Sequence, residues 1–565
     1  MKEKLKTIGL SIVITLILSL IIGAITNNSI IKGAVLGVLL IATGILLLKK
    51  SKESLLIIIL PAFISAVLSY LLSTQIQWVI VAAIVSFIAT AKIPSPTRLP
   101  FYMILVTVFF TWIFKAADFS YGEYTVVGFE SAGLFDILNK IVISVGAFGN
   151  VALYLLVIGM FYGVLHSISA YRNLLDKIVN GVKGKEGFIL ALIIVIIAVF
   201  TSVCGASHGI LIIIPFIISL VLLMGYNRTT AAMVTIGSIA VGLIGNTFSS
   251  TYIQSEYGEL IAQNGMGILN AILSTKADDF IVAKIVLLVL GIIITIIGTL
   301  AYASKNKGNN KEADALLPTS DNKKSKIWPL VVIFDLIFVV AMLSLTSWSN
   351  VFNLNWFQKA TDWVTSIKIF DFPIFSKILG GVKPFEYWTI DDISVMLVLG
   401  SIVLAIIYKL NFEKFAKSIV SGAKKALKPA VLIILTYVVT ITMYNHSLSL
   451  SVISPLMSNK FNILTMGIVA AISNIFTVDF YYASALILPY VTSIITDKSV
   501  YSLIALVWQV MHGFITLVGP TSVVLIAVLS YLNIPYGEWL KSNWKTIVGI
   551  LALIFIVPIV VMLLV

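Results

Sequence analysis

Two short polar clusters interrupt long apolar stretches of this 565-residue chain, and their residue types suit the binding of small ions. They are Gly245-Asn246-Thr247 and Gly519-Pro520-Thr521-Ser522. A helix that breaks inside a membrane exposes N–H groups at one new end and carbonyl oxygens at the other, and each end carries about half a charge. The first kind of end suits a carboxylate and the second suits a cation. We therefore predict substrate or ion binding at both clusters, with Na⁺ held by Asn246, Thr247, Thr521 and Ser522. The alternative is that both clusters are packing kinks, which are common in membrane helices.

The two clusters occupy corresponding positions of an internal repeat. A shift of 274 positions takes Gly245 to Gly519 and Thr247 to Thr521 without a gap. The same shift pairs Pro215 with Pro489, Ser219 with Ser493 and Leu243 with Leu517. Chance similarity between Ile- and Leu-rich helices explains aligned aliphatic residues, whereas paired Pro, Gly and Thr residues at one offset favour a true repeat.

Each half also contains two apolar arms joined by a short polar tip. The first pair of arms, 187–203 and 209–225, is joined by Cys204 to His208, and the second pair lies within 461–495. Non-helical backbone at membrane depth is tolerated only inside protein or beside a water-filled cavity. We predict two re-entrant hairpins whose tips contribute to the site. The candidate residues at the tips are Gly205, Ser207, His208, Asn474, Thr477 and Asp479.

Some of these side chains titrate. His208 at the first tip has a group that titrates near neutral pH and is suited to carry a coupling proton. Asp479 at the second tip and Asp335 are the acids expected within the membrane, where ionisable residues are functional candidates by default. The other histidines also lie in the repeated units, but a lone histidine on an apolar helix is as often a core residue as a functional one. They are His166, His446 and His512.

The composition excludes a soluble globular protein. Hydrophobic residues make up 59% of the chain and charged residues 11%, against about 25% charged residues in ordinary domains. The mean hydropathy is +1.07. The net charge of +13 comes from lysines in short loops beside apolar spans, which set membrane orientation and do not indicate a nucleic-acid partner. The single cysteine, Cys204, excludes an intramolecular disulfide.

The predicted fold is an all-α polytopic membrane protein with about 13 transmembrane helices and two re-entrant hairpins, since a span needs roughly 20 apolar residues. Basic loops predict a cytoplasmic N-terminus. Four crossings separate the histidine-ended spans of the two halves, so the repeats are inverted, as in secondary transporters. The predicted regions are an N-terminal transmembrane extension (1–99), a first repeat (100–303), a cytoplasmic linker (304–326), a connecting helix with an amphipathic segment (327–389) and a second repeat (390–565).

The C-terminal run from Gly519 to Lys541 resembles the ending of YfcC-type carriers through Pro520-Thr521-Ser522 and the stretch from Ile534 to Trp539. These carriers belong to the anaerobic dicarboxylate carrier group of the ion transporter superfamily. The resemblance, which covers about 130–565, implies two inverted repeats with hairpins, transport driven by Na⁺ or H⁺, and a homodimer. Both tips, at Ser207 to Gly209 and at Val478 to Tyr482, depart from the family pattern, so the resemblance does not name the substrate.

We expect a secondary active transporter that moves a dicarboxylate, an amino acid or a peptide-like solute across the plasma membrane by alternating access. Its partners would be membrane lipid and the substrate, with Na⁺ or H⁺ as the coupling ion and no further cofactor. An alternative is a Na⁺/H⁺ antiporter without an organic substrate, which Asp479 and the histidines suit. A membrane-embedded enzyme is disfavoured, because the sequence has no HExxH pair, Gly-x-Ser-x-Gly elbow or phosphate-binding Gly-rich loop.

Overall fold

The computed structural model describes residues 96–133, 135–205, 208–247, 252–254, 260–262, 265–276, 279–306, 325–346 and 348–564. The predicted N-terminal extension, apart from 96–99, lies outside the described residues. So do Ser207 and most of the predicted linker, 304–326.

The described chain is built from helices. Those of the first half are α1 (Leu99–Ile113), α2 (Asp136–His166), α3 (Ser169–Gly181), α4 (Glu186–Cys204), α5 (Ile214–Leu223), α6 (Arg228–Ile244), α7 (Gly265–Leu273) and α8 (Ile281–Ala303). The connecting segment contains α9 (Trp328–Ser344), α10 (Trp348–Phe352), α11 (Trp356–Ser366) and α12 (Ile374–Leu379). The second half contains α13 (Ile390–Ile407), α14 (Phe412–Asn445), α15 (Leu448–Ile453), α16 (Ile463–Phe476), α17 (Phe480–Ile494), α18 (Tyr501–Val518), α19 (Val523–Leu532) and α20 (Tyr536–Leu564).

Eight helical stretches of the described residues are long and apolar enough to cross a membrane, and five shorter apolar helices accompany them. This confirms the all-α polytopic class, while the number of spans and the inverted repeat stay predictions. The arms of the second hairpin, α16 and α17, have 14 and 15 residues. At 1.5 Å per residue each is about 22 Å long, less than the roughly 30 Å of a bilayer core. Their length therefore favours a re-entrant hairpin.

Two elements that the sequence pattern separates are one continuous helix. The sequence pattern predicts an interfacial helix over 134–145 and a separate span over 149–168, but α2 runs unbroken for 31 residues. The joining residues, Gly146 to Phe148, include no proline, and one glycine inside a helix costs only about 1 kcal/mol relative to alanine. Packing of the following turns against α14 outweighs that cost. Helix α14 is likewise continuous over 34 residues.

Two short strand pairs were not predicted. β1 (Ala116–Ser120) pairs antiparallel with β2 (Glu123–Gly128), and β3 (Tyr252–Gln254) pairs with β4 (Leu260–Ala262). The first turn consists of Tyr121 and Gly122, which have φ values of 54° and 84°. Positive φ at both central residues is the geometry of a tight hairpin turn.

Helices α2 and α14 cross at small residues and join the two halves. A Cβ atom added to Gly422 would overlap the carbonyl oxygen of Gly159, and one added to Gly163 would overlap that of Ser418. Small residues at such crossings let the helix backbones approach closely. Farther along the pair, the rings of Phe148 and Tyr437 stack with their centroids 4.0 Å apart. This rigid pair forms one wall of the candidate site.

Candidate ligand cavity between the two halves

The first hairpin turns at a left-handed glycine. Helix α4 ends at Cys204, and Gly205 follows with a φ of 61° and donates its N–H to the Thr201 carbonyl oxygen at 2.7 Å. Glycine is the residue that adopts this helix-ending conformation at least cost. His208 then begins a short 3-10 helix over Gly209–Ile213 that leads into α5. His208 therefore lies at the start of the second arm of this hairpin.

The second hairpin turns at Thr477 to Asp479, and an internal carboxylate caps its second arm. Asp479 Oδ1 accepts the backbone N–H of Tyr481 at 2.8 Å, and the N–H of Val478 donates to Thr440 Oγ1 at 3.0 Å. A carboxylate at this position satisfies N–H groups that have no partner in the helix and interacts favourably with the positive helix end. The Asp479 side chain therefore occupies the N-terminus of α17.

The first break, Gly245 to Thr247 at the end of α6, lies against the first hairpin. The N–H of Thr247 donates to the Ser202 carbonyl oxygen at 2.9 Å, and Ser202 Oγ donates to the Gly245 carbonyl oxygen at 2.6 Å. A Cβ atom added to Gly245 would lie about 2.5 Å from Leu288 of α8. Glycine is therefore needed at this position for close packing and not for an unusual φ.

The second break, Gly519 to Ser522 between α18 and α19, is likewise hydrogen-bonded to a hairpin arm. Thr521 Oγ1 donates to the Ile475 carbonyl oxygen at 2.5 Å, near the end of the first arm of the second hairpin. Ser522 Oγ accepts the N–H of Leu525 at 3.2 Å and so caps α19. The two threonines that the repeat pairs, Thr247 and Thr521, thus each join a broken helix to a hairpin arm.

The carbonyl groups that end α18 are covered by two aromatic residues of α20. The Tyr536 hydroxyl donates to the Val518 carbonyl oxygen at 2.5 Å, and Trp539 Nε1 donates to that of Leu517 at 3.0 Å. Both aromatic residues belong to the C-terminal motif that carries the family resemblance. Capping of the broken helix gives this motif a physical role.

An open cavity of about 340 Å³ lies where these elements meet. Asn150 and Tyr482 are exposed in its wall. Of the predicted site residues it is lined by Gly205, His208, Asn246, Asn474, Asp479 and Ser522. The others that the structure describes are not in its wall: Gly245, Thr247, Thr477, Gly519, Pro520 and Thr521. Among the described residues lining it there is no lysine or arginine.

His512 also lines the cavity, although the sequence alone does not distinguish it from a core histidine. Asn474 Nδ2 donates to the Ala470 carbonyl oxygen at 2.8 Å, which leaves Asn474 Oδ1 as an acceptor. The Nδ1 atom of His512 lies 2.8 Å from that oxygen and therefore donates to it. The ring edge contacts Phe480, with centroids 4.5 Å apart. His512 is thus positioned by both arms of the second hairpin.

Gln509 is a site residue that the sequence reasoning missed. Its Nε2 atom donates to the carbonyl oxygens of Asn246 at 2.9 Å and Ile244 at 3.1 Å, and so joins α18 to the first break. Gln509 and Asn246 are only 2% and 5% exposed. The oxygens Gln509 Oε1 and Asn246 Oδ1 are buried and have no hydrogen-bond partner within the described part of the chain. The sequence feature that could have indicated Gln509 is its position three residues before His512, which places both side chains on one face of the helix.

Comparison with known proteins identifies the family. Residues 10–565 match the C4-dicarboxylate anaerobic carrier family, DcuC. Among solved structures, the chain is similar to the YdaH transporter of Alcanivorax borkumensis, whose topology is described as unusual. The TM-score is 0.36 and the identity 11%, over 82% of this chain and 98% of that one. No curated protein sequence matches. The chain belongs to the C4-dicarboxylate anaerobic carrier family and is a membrane carrier rather than an enzyme.

Proposed function

We propose that this protein is a secondary active carrier that moves a small carboxylate across the plasma membrane by alternating access, coupled to a cation. The observation on which this rests is the cavity. The N-terminus of α19, in the second half, and the C-terminus of α6, in the first half, both reach its wall. Such ends attract ligands of opposite charge.

The N-terminus of α19 supports carboxylate binding. Ser522, Val523 and Val524 line the cavity, and the first N–H groups of a helix have no acceptor within it. A substrate carboxylate would satisfy these donors and interact favourably with the positive helix end. The corresponding position of α17 already holds the Asp479 carboxylate, so α19 is the better carboxylate site.

The end of α6 supports cation binding. Asn246 Oδ1 and Gln509 Oε1 are the kind of neutral oxygen that binds hard cations, and burial without a partner is costly for each. A cation would satisfy both. The hydroxyl oxygens of Thr521 and Ser522, predicted as further Na⁺ ligands, are hydrogen-bonded to the carbonyl oxygens of Ile475 and Thr516, so neither is a buried oxygen left without a partner. We therefore assign the coupling cation to the first break.

Asp479 bears on the substrate class. A dicarboxylate, the substrate that the family name implies, would meet this acid in a cavity whose described lining has no lysine or arginine. An amino acid would instead offer an ammonium group to Asp479 and a carboxylate to α19. The same acid favours the second candidate function, a Na⁺/H⁺ antiporter without an organic substrate.

Ligand-dependent thermal stabilisation of the purified protein separates these functions. Succinate, fumarate and aspartate would each be added in NaCl or in choline chloride, since a ligand of the folded state raises the unfolding temperature. The carrier proposal expects stabilisation by at least one carboxylate that grows when Na⁺ or a lower pH is supplied. Stabilisation by Na⁺ or by pH alone, with no carboxylate effect, would favour the antiporter and contradict the carboxylate carrier.

A further inference from the structure

A second, smaller cavity lies farther along the same helices. Its volume is about 60 Å³. A water molecule needs about 10–15 Å³ by this measure, so the space holds a few waters and excludes a four-carbon substrate. Its wall is mostly apolar, with Lys425 and His166 as the ionisable nitrogen side chains in it beside the hydroxyls of Tyr162 and Tyr531, and no acidic side chain is among the described residues that line it.

The two cavities share their walls. On α2, Val151 lines the larger cavity and Leu155 the smaller one, and on α19 Val524 and Val528 do the same. Residues four apart are neighbours on one helix face, so about one turn, 5.4 Å, separates the two linings. The cavities are therefore arranged in series, with a thin barrier between them.

The two cavities reach toward opposite ends of the helices. On α14 the larger cavity contacts Tyr437 and the smaller one contacts Lys425, which lies 12 residues or about 18 Å nearer the start of the helix. On α2, which runs the other way, the smaller cavity reaches His166 at the last residue of the helix. A path through both would connect the two sides of the membrane.

Hydrogen bonds between α2 and the first hairpin lie beside the barrier, and a shift of the hairpin relative to α2 would break them. At the level of the barrier, the Tyr154 hydroxyl on α2 donates to the carbonyl oxygen of Gly209 in the first hairpin at 2.8 Å. In the wall of the smaller cavity, the Tyr162 hydroxyl donates to the carbonyl oxygen of Ile212 at 2.8 Å. Pro429 lies inside α14 in the wall of the smaller cavity. Because proline has no N–H, it cannot bond the Lys425 carbonyl, and the helix can bend there.

A cationic group stands at the mouth of the smaller cavity. The Lys425 side chain is exposed, and its Nζ lies 3.5 Å from His166 Nδ1. Of the described residues that line either cavity, Lys425 is the one lysine or arginine. A compact ammonium beside an imidazole, with no acid in the same wall, suits a carboxylate.

We propose that the smaller cavity is the closed half of the translocation pathway and that Lys425 and His166 bind the substrate carboxylate at its mouth. This rests on the proposed function as an alternating-access carrier. The two halves of the pathway would open in turn, the larger cavity on one side of the membrane and the smaller on the other.

Sided labelling tests the pathway without requiring transport. Ala527 and Ala147, in the walls of the smaller and the larger cavity, would each be replaced by cysteine in a Cys204→Ser background. In proteoliposomes of known orientation, a membrane-impermeant thiol reagent should modify Ala527→Cys only from the Lys425 side and Ala147→Cys only from the other. Labelling of Ala527→Cys from the Ala147 side, or from neither side, would overturn the pathway.

Sided kinetics tests the carboxylate site. Lys425→Gln should raise the half-saturating succinate concentration about tenfold for entry from the Lys425 side, since a hydrogen bond to a charged group is lost. Entry from the other side should be unchanged, and Lys425→Arg should restore most of the affinity. The control is Lys424→Gln, an exposed lysine outside the cavity wall. Equal effects on both sides, or the same effect in the control, would refute the site. If the unaltered protein transports no succinate, the same comparison is made with aspartate. If it transports neither succinate, fumarate nor aspartate, the carboxylate site fails with the proposed function, while the labelling still decides the pathway.

Discussion

Replacement of Gln509 by methionine should change stability and cation binding at once. Methionine has a similar volume but donates no hydrogen bond, so the carbonyl groups of Ile244 and Asn246 lose the donor that now lies 3.1 and 2.9 Å away. A buried group left without its partner costs about 1–3 kcal/mol. The two together predict a loss of roughly 2–6 kcal/mol in the free energy of unfolding, offset in part because the unpartnered Gln509 Oε1 is removed as well.

The same substitution removes Gln509 Oε1, one of the two oxygens that we assign to the coupling cation. Loss of a hydrogen bond or ligand to a charged group is worth about 1.5–3 kcal/mol. The half-saturating Na⁺ concentration should therefore rise by about tenfold or more.

Thermal unfolding in increasing NaCl, with choline chloride holding the ionic strength constant, measures both effects. A cation at 100 times its Kd stabilises the folded state by about 2.7 kcal/mol, which is enough to be seen as a shift in unfolding temperature. Trp508→Phe is the matched control. Trp508 lies next to Gln509 on α18, and its replacement loses the buried bond from Trp508 Nε1 to Ser484 Oγ of α17. It should lower the unfolding temperature and leave the Na⁺ response intact. An unchanged Na⁺ response in Gln509→Met, or an equal loss in the control, would refute the assignment.

Three further predictions concern other parts of the fold. Thr247→Val and Thr521→Val should each abolish or strongly reduce substrate uptake into proteoliposomes, because each removes a bond between a broken helix and a hairpin; normal uptake in either variant would show that the bond is dispensable. Gly422→Ala should destabilise the protein by about 1–3 kcal/mol in thermal unfolding, since its Cβ would overlap backbone of α2, whereas Gly181→Ala, with open space around it, should not. Partial burial, aided by the neighbouring Lys140, lowers the pKa of His446, so the unfolded state takes up the proton first and stability begins to fall once the pH drops below about 6.5; His446→Gln should therefore reduce the drop in unfolding temperature between about pH 7.5 and about pH 5.5, and an unchanged drop would contradict this.

The positions of the helix breaks could be read from the sequence because backbone chemistry leaves few alternatives. An apolar run in a membrane stays helical until glycine, proline or a competing polar side chain interrupts it. Helix α6 ends at Ile244 and α18 at Val518, each directly before the glycine of a predicted cluster. The hairpin arms end equally close to their predicted tips, at Cys204 and Phe476.

The partners of polar side chains could not be read in this way. Gln509 and Asn246 are 263 residues apart, and their contact depends on how α18 crosses α6. That crossing is set by packing: a Cβ added to Gly513 would lie 2.5 Å from the backbone nitrogen of Ile244. Periodicity along one helix indicates which residues share a face, but it does not indicate which other helix that face meets.

The C-terminal motif illustrates a different limit. Resemblance identified the stretch from Ile534 to Trp539 as a family feature, and family membership is confirmed over nearly the whole chain. Its physical role became visible only with the contacts of Tyr536 and Trp539 to the end of α18. The motif indicated the family, whereas the hydrogen bonds of Tyr536 and Trp539 explain why a tyrosine and a tryptophan occupy these positions.

Those contacts also explain why the two breaks, although they align in the sequence, are expected to bind different ligands. At the second break the final carbonyls of α18 are occupied by Tyr536 and Trp539, so what remains for a ligand is the N-terminus of α19. At the first break the carbonyls are held by Gln509, whose own oxygen stays without a partner. We therefore expect an anion at one break and a cation at the other. Since both line one cavity, each ligand should raise the affinity for the other, and by linkage the two increases must be equal. Coupling of carboxylate transport to the cation would then follow from the opposite charges of the two ligands in one cavity.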